Sequence, residues 1–113
     1  MPTDDTVEPV DLFDLLGNRR RLLVIKYLSL FRKDVSVEVR HLARVIRGVE
    51  LEKPSRQVSS DDYESAYNGL IQTHLPKLTA NGIVEYDESR KTLSPTHRVN
   101  QCALFVQIAL YLS

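Results

Sequence analysis

The chain has very little cysteine, which limits the chemistry it can carry. Cys102 is the single cysteine in 113 residues, so an intramolecular disulfide and a cysteine-pair metal or redox motif are excluded. The four glycines, at positions 17, 48, 69 and 82, are too far apart for a glycine-rich phosphate loop. We therefore expect Cys102 to be a buried small hydrophobe, and we expect no cofactor and no metal site.

Targeting and membrane signals are also lacking. No apolar run reaches the roughly 20 residues that are needed to cross a bilayer. The acidic N-terminus lacks the basic and apolar regions of a secretory signal. These absences predict a cytoplasmic protein that does not associate with membranes.

An enzyme is not indicated by the titratable residues. His41, His74 and His97 are scattered, and no carboxylate, serine or cysteine stands at a catalytic spacing beside them. His74 falls on the inner face of a predicted helix, where a histidine that packs against a neighbouring helix is the simpler interpretation. We therefore expect no catalytic residue.

Apolar periodicity predicts two helices in the first third of the chain. After Pro9 a short helix carries Val10, Leu12, Phe13, Leu15 and Leu16 and ends at Gly17. Asn18 can cap a second helix that ends near Asp34. Three arginines occupy its first turns, and its apolar positions are Val24, Ile25, Leu28 and Phe31.

A short strand and a third helix are predicted next. Val35 to Val37 reads as a strand, and a helix starts near Glu38 with an inner face of Val39, Leu42, Ala43 and Ile46. Arg40, Arg44 and Arg47 recur on a different face and form a basic stripe. Residues 48–60, rich in Gly, Pro, Ser and mixed charge, predict a long loop.

A fourth helix, a hairpin and a fifth helix complete the pattern. The fourth runs over about 60–80, and Pro76 should bend or break its last turns. Its core-spaced residues are Tyr63, Ala66, Tyr67, Leu70, His74 and Leu78. Two short strands, 83–87 and 92–94, flank a turn with Arg90 and Lys91, and a last helix spans roughly 97–112. The fold class predicted is mainly α with a small β-hairpin wing, with about five helices and three short strands.

This order of elements resembles the winged helix-turn-helix regulators. The run Leu15-Leu16-Gly17-Asn18-Arg19-Arg20-Arg21-Leu22 looks like the opening of the arsenic-repressor type. The run His74-Leu75-Pro76-Lys77-Leu78, followed by residues 80–86, is similar to the end of their recognition helix entering the wing. The pattern also looks like uncharacterised winged-helix domains of halophilic archaea. The organisation expected is a flexible acidic N-terminus over 1–8, a winged helix-turn-helix domain over 9–95, and a C-terminal helix over 96–113.

The resemblance implies a transcriptional regulator that reads double-stranded DNA with the helix over about 60–80. Base-reading positions would then be Asn68, Gly69, Gln72 and Thr73. Asn and Gln can pair bidentately with adenine, and Gly allows close approach. Backbone contacts are expected from Arg40, Arg44, Arg47 and Lys77, and from Arg90 and Lys91 on the wing. The cysteine-rich sites of the metal-sensing members are not carried over, because this chain lacks those cysteines.

Zero net charge conceals an uneven distribution. Residues 15–56 carry a net +7, residues 57–88 carry −5, and the rest of the C-terminal part carries +3. This basic region favours DNA. The neutral total and the acidic start of the fourth helix, with Asp61, Asp62 and Glu64, favour the alternative of a winged-helix module that binds protein and not DNA.

The last helix is apolar over most of its circumference. A single domain of this size offers one flank to such a helix, and a second subunit is the simplest cover for the other. We therefore expect a homodimer formed through this helix. The residues expected at the interface are Val99, Ala103, Phe105, Val106 and Leu110.

Overall fold

The computed structural model describes residues 14–32 and 34–112, in which helices surround a small sheet. Five α-helices lie wholly within these ranges: α1 (Arg19–Leu28), α2 (Val39–Leu51), α3 (Ser60–Gly69), α4 (Leu75–Ala80) and α5 (His97–Leu112). Three strands accompany them: β1 (Val37–Glu38), β2 (Val84–Asp87) and β3 (Thr92–Pro95). A 3₁₀ helix spans Ser55–Gln57, and a π turn spans Leu70–His74. The predicted mainly α fold with a β-hairpin wing is confirmed.

Residues 14–16 are helical, and Leu15 and Leu16 are buried as predicted. Val10, Leu12 and Phe13 of the predicted first helix lie outside the described residues, as does the predicted flexible segment 1–8. Asn18 caps α1 as expected, since its side-chain oxygen accepts a hydrogen bond from the Arg21 backbone N–H at 3.2 Å.

The sheet is antiparallel with β3 at its centre. Val37 of β1 lies opposite Leu93 of β3, and Tyr86 of β2 lies opposite the same residue on the other side. The predicted strand over Val35–Val37 is shifted, because β1 is defined by its pairing with β3, which local periodicity cannot show. Val35 instead packs against the core.

The core joins the inner faces of the helices to the sheet. All four inner residues predicted for α2 are buried, and so is Cys102. Helix α5 packs against α1, and its buried residues include Val99, Cys102 and Val106. No helix in the described ranges is both long enough and apolar enough to cross a membrane.

Two predicted boundaries are wrong. Helix α1 ends at Leu28 and not near Asp34, and Phe31 beyond it lies partly exposed, edge-on to the Tyr27 ring at 5.0 Å. Helix α2 continues through Gly48 to Leu51, so the predicted loop 48–60 is shortened to 52–59. A Cβ at Gly48 would lie 2.8 Å from the Lys53 carbonyl oxygen. Gly48 therefore allows the returning chain to pass close to α2 and does not end the helix.

The predicted helix over 60–80 is interrupted where Pro76 predicts a disturbance. Ser59 caps the N-terminus of α3, since its hydroxyl oxygen accepts from the Asp62 backbone N–H at 3.2 Å. The π turn follows α3, and Pro76 stands in the first turn of α4. Proline has no N–H and its ring clashes with the carbonyl four residues earlier, so a regular helix cannot pass through this point undisturbed.

A chain of ion pairs holds α1, α2 and α3 together; we name Arg20, Glu50, Arg47 and Asp62 the ion-pair chain. Arg20 donates to both Glu50 oxygens at 2.7 Å. Arg47 donates to Glu50 at 3.1 Å and to Asp62 at 3.3 Å. Bidentate arginine–carboxylate pairs fix orientation as well as distance. The ion-pair chain therefore sets how the three helices are placed.

Glu50 is the centre of the ion-pair chain. Burial alone raises the pKa of its carboxyl group, but hydrogen bonds and positive charge from Arg20 and Arg47 together hold that pKa below its ordinary value. A carboxyl group whose folded pKa is depressed stabilises the fold above its unfolded pKa, and this stabilisation is lost as the pH falls through the folded pKa.

Replacing Glu50 with Gln should destabilise the fold, because Arg20 and Arg47 would keep their charges and lose the carboxylate between them. We expect the free energy of unfolding at pH 7, measured by urea denaturation, to fall by about 2–3 kcal/mol. The exposed Glu64→Gln makes the same charge change and should cost less than about 0.5 kcal/mol. Equal losses in the two variants would contradict a stabilising role for the ion-pair chain.

Candidate nucleic-acid interface

Three of the four predicted base-reading residues form an exposed strip. Asn68 lies at the end of α3, Gln72 and Thr73 lie in the π turn, and all three are exposed. We name them the polar strip. Gly69 differs, because it is half-buried and a Cβ there would lie 2.8 Å from Arg20 Nη1. The close approach that Gly69 allows is therefore to a guanidinium group of its own chain.

The wing and the start of α2 bring three basic residues to one place. Arg40, Arg90 and Lys91 line a hollow of about 230 Å³ together with Glu38 and Tyr67. The Val39 backbone N–H donates to the Lys91 carbonyl oxygen at 2.9 Å and so ties the wing to the first turn of α2. Residues that are about 50 positions apart in the chain are thereby placed side by side.

Arg44 adds a fourth positive charge, which lies over one of a pair of tyrosine rings. Its guanidinium lies 4.5 Å from the centre of the Tyr63 ring, and the rings of Tyr63 and Tyr67 are 5.7 Å apart. A second hollow of about 400 Å³ adjoins them, lined by Glu38, Arg40, His41, Arg44 and Tyr63. We name the whole surface the basic cleft; its residues are Arg40, Arg44, Tyr63, Tyr67, Arg90 and Lys91.

The wing tip is held in shape by Asp87. One of its carboxylate oxygens accepts from the Ser89 backbone N–H at 3.0 Å, the Ser89 hydroxyl at 2.7 Å and the Arg90 backbone N–H at 3.1 Å. These bonds, with that from the Ser89 hydroxyl largest, hold the pKa of the Asp87 carboxyl below its ordinary value. Lys91 completes the turn with a φ of 55°. The tip therefore presents Arg90 and Lys91 from an ordered turn.

The six basic residues predicted to contact a DNA backbone fall into two groups, those held by a close carboxylate and those that are not. Arg47 is part of the ion-pair chain, and Lys77 lies 3.1 Å from an Asp14 carboxylate oxygen. Among the described residues, Arg40 and Arg90 have only longer pairs, to Glu38 at 3.7 Å and to Asp87 at 3.9 Å. Arg44 and Lys91 have no ion pair within the part of the chain that the structure describes. Arg47 could therefore bind a phosphate only by giving up its carboxylates.

A buried polar pair lies beneath the polar strip. His74 is 8% exposed, and its Nδ1 lies 3.2 Å from Arg21 Nη1. Arg21 also donates to the carbonyl oxygens of Leu15 at 2.6 Å and Asp14 at 3.0 Å. Burial, followed by the positive charges of Arg21 and Arg20, lowers the pKa of His74 to about 4. His74 is therefore neutral at pH 7 and accepts the hydrogen bond from Arg21, as the inner-face prediction requires.

Sequence reasoning missed the part that Tyr63 and Tyr67 play in the cleft. Their spacing predicts core residues, and both are half-buried and packed against the core. Each also lines one of the two hollows. A tyrosine at the border of an apolar stripe, with basic residues predicted nearby, is the sequence signal that could have indicated this.

Helix α5 divides its apolar residues between core and surface. Val99 and Val106, both predicted at a dimer interface, are 2% and 0% exposed, so in this structure they serve the core of their own chain. Ala103 and Leu110 are partly buried, and Phe105 is 40% exposed. The most exposed residues, which we name the apolar face of α5, are Leu104, Ile108, Tyr111 and Leu112.

A comparison with known protein families gives a match that covers most of the chain. A family model for a domain of unknown function, DUF7344, matches residues 13–94. The chain belongs to this family. The match includes the polar strip, the basic cleft and the ion-pair chain, and it stops before α5. No curated protein and no solved structure matches the chain.

The stability of the fold should fall in mild acid because of His74. Its folded pKa lies below its unfolded value near 6.5, so its contribution is complete above that value and is lost as the pH falls toward about 4. Between these limits we expect a loss on the order of 2 kcal/mol. Urea denaturation at a series of pH values measures it.

His74→Gln is the matched test, because glutamine keeps a hydrogen-bond acceptor for Arg21 but does not titrate. The variant should show a flatter pH dependence between pH 6.5 and 4. The exposed His97→Gln should retain the pH dependence of the parent. The same slope in all three proteins would argue against a buried neutral His74.

Proposed function

We propose that this chain is a DNA-binding transcriptional regulator whose helix over about 60–80 enters the major groove while the wing contacts the DNA backbone. The observation that carries the proposal is the exposure of the polar strip beside the basic cleft. Tyr67, next to Asn68 in the chain, lines the hollow that Arg40, Arg90 and Lys91 share. The polar strip thus begins one residue after Tyr67 on the same helix, α3.

The side chains of the polar strip suit the edges of bases. Asn68 and Gln72 can each pair bidentately with adenine, and Thr73 can meet a thymine methyl group or accept and donate a hydrogen bond. The major groove, about 12 Å wide, accommodates one α-helix. Asp61 and Asp62, which would repel phosphates, lie in the first turn of α3, and Asp62 is already paired with Arg47.

The basic cleft suits the DNA backbone. Arg40, Arg44, Arg90 and Lys91 supply four cations that are exposed to solvent. Four phosphate contacts correspond to a slope of roughly −4 in log affinity against log salt concentration. We assign backbone binding to these four residues, and we assign Arg47 to the stability of the fold.

A homodimer would double this footprint. The apolar face of α5 leaves Leu104 73% exposed and Tyr111 86% exposed, which is unfavourable in water unless another surface covers them. We propose that a second copy of the chain does so through Leu104, Ile108, Tyr111 and Leu112, with Phe105, Ala103 and Leu110 at the edge. Two recognition helices related by a two-fold axis could then read two half-sites.

DNA binding should be salt-dependent, and variants should separate contacts to the DNA backbone from contacts to bases. Fluorescence anisotropy with a duplex from the upstream region of its own gene and with random duplex, at several salt concentrations, measures both. Arg44→Ala should weaken binding to every duplex and reduce the salt slope by about one unit. Gln72→Ala should lower the preference for the specific duplex by about tenfold and leave the slope unchanged.

Arg56→Ala is the control of equal charge. Arg56 is exposed in the 3₁₀ helix that follows the far end of α2, away from Arg40 in the first turn. Its loss should leave affinity and slope almost unchanged. Affinity that does not depend on salt, or no binding to any duplex, would contradict the proposal and favour a module that binds protein.

The mass in solution tests the dimer. The chain has a mass of 12.9 kDa, and light scattering should give twice this value at high protein concentration. Ile108→Glu places a charge on the apolar face of α5 and should return the monomer mass. Asn100→Glu, at an exposed polar position of the same helix, should remain dimeric. A monomer mass for the unaltered chain would overturn this part of the proposal.

A further inference from the structure

The π turn takes up one extra residue in the middle of the helix over 60–80. The Leu75 backbone N–H donates to the Leu70 carbonyl oxygen, five residues earlier, and not to Ile71 as in an α-helix. Ala66 in α3 and Leu70 at the start of the turn are buried, and so are His74 at its end and Leu75 and Leu78 in α4. The helix therefore continues toward Ala80 with a changed register.

The size of this change follows from helix geometry. An α-helix advances about 100° per residue, so Thr73 and Lys77, seven and eleven residues after Ala66, would lie within about 20° of its direction. In an uninterrupted helix both would face the core, and Leu78 would point about 120° away from Ala66. The structure has the reverse arrangement, since Thr73 and Lys77 are exposed and Leu78 is fully buried. A shift of one residue accounts for this difference.

Two features of the turn and its surroundings fix the shifted register. His74, the last residue of the π turn, is held by the Arg21 guanidinium, which also binds the carbonyl oxygens of residues 14 and 15. On the other side, Pro76 prevents the return to a regular ladder, because it cannot donate to the Gln72 carbonyl oxygen. The turn is therefore anchored to the core at the position where the polar strip is exposed.

We propose that the π turn is the specificity-determining element of the interface: its extra residue presents Thr73 at the surface beside Gln72 and so fixes which base pair each of them reaches. This inference rests on the proposed function, and it adds that Thr73 and Lys77 belong to the DNA-facing surface only because of the shift. Lys77 then lies beside the reading residues, where a phosphate can replace its exposed Asp14 partner.

A pair of variants separates the register from the side chain. Deletion of Ile71 together with Pro76→Ala removes the extra residue and lets a continuous α-helix keep the apolar residues on both sides in register. Ile71→Ala together with Pro76→Ala removes the same side chain and keeps the extra residue. Both retain Asn68, Gln72 and Thr73, and they differ in whether Gln72 lies in a π turn or in a continuous α-helix.

Thermal unfolding tests the shift itself. The Ile71 deletion variant should unfold cooperatively, with a melting temperature within about 15 °C of the parent. The control is deletion of Arg44, an exposed residue of the uninterrupted α2 that lies between the buried Ala43 and Ile46. This deletion should abolish cooperative unfolding, because it rotates one half of the core face of α2 by about 100° relative to the other half. Equal damage from the two deletions would overturn the assignment of a one-residue shift.

Duplex binding tests the reading role. Using the upstream duplex and single-base variants of it, we expect the Ile71→Ala, Pro76→Ala protein to keep the base preferences of the parent. In the continuous helix of the deletion variant Thr73 stays about 120° from Ala66 and exposed, as in the parent, whereas Gln72 no longer lies in a π turn. This variant should therefore lose about tenfold in preference at the base pair read by Gln72 and keep the preference at the base pair read by Thr73, with an unchanged salt slope. Full retention of both preferences in the deletion variant would overturn this inference alone. Failure of the unaltered chain to bind any duplex would overturn the proposed function, while the unfolding comparison would still report on the shift.

Discussion

The arrangement of α1, α2 and α3 depends on the pairing of Arg20 with Glu50. This bidentate contact joins α1 to α2, Arg47 extends it to Asp62 on α3, and the Arg20 guanidinium lies against Gly69. A side chain larger than hydrogen at position 69 would displace the guanidinium. The placement of α3, and with it the exposure of Asn68, Gln72 and Thr73, therefore depends on one charged contact and one missing Cβ.

The three arginines of the α2 stripe make different kinds of contact in the folded chain. Arg40, Arg44 and Arg47 recur on α2 at helical spacing and form a single stripe in the sequence. In the structure Arg47 is paired with two carboxylates, Arg44 lies over Tyr63, and Arg40 joins the wing. The exposed basic surface is consequently formed by α2 and the wing together. Their proximity follows from the antiparallel pairing of β1 with β3.

Much of the fold was predictable because periodicity reports burial directly. The inner face of α2, the hairpin, and the extent of α5 over residues 97–112 follow from apolar spacing and turn residues. Gly48 was misread as a helix end, because the return of Lys53 against it is a tertiary contact. Pro76 predicted a disturbance, but the form it takes, a π turn, was decided by the need to bury both Leu70 and Leu78.

The sequence by itself determined which segments are helical, which faces are apolar, and which polar residues occur between 68 and 73, because these depend on local spacing and chemistry. Tertiary structure alone decided which charges are neutralised, which apolar residues of α5 face the core, and which side of residues 70–78 meets solvent. Those outcomes depend on contacts between residues up to 81 positions apart, and on a register shift of one residue, neither of which local pattern records.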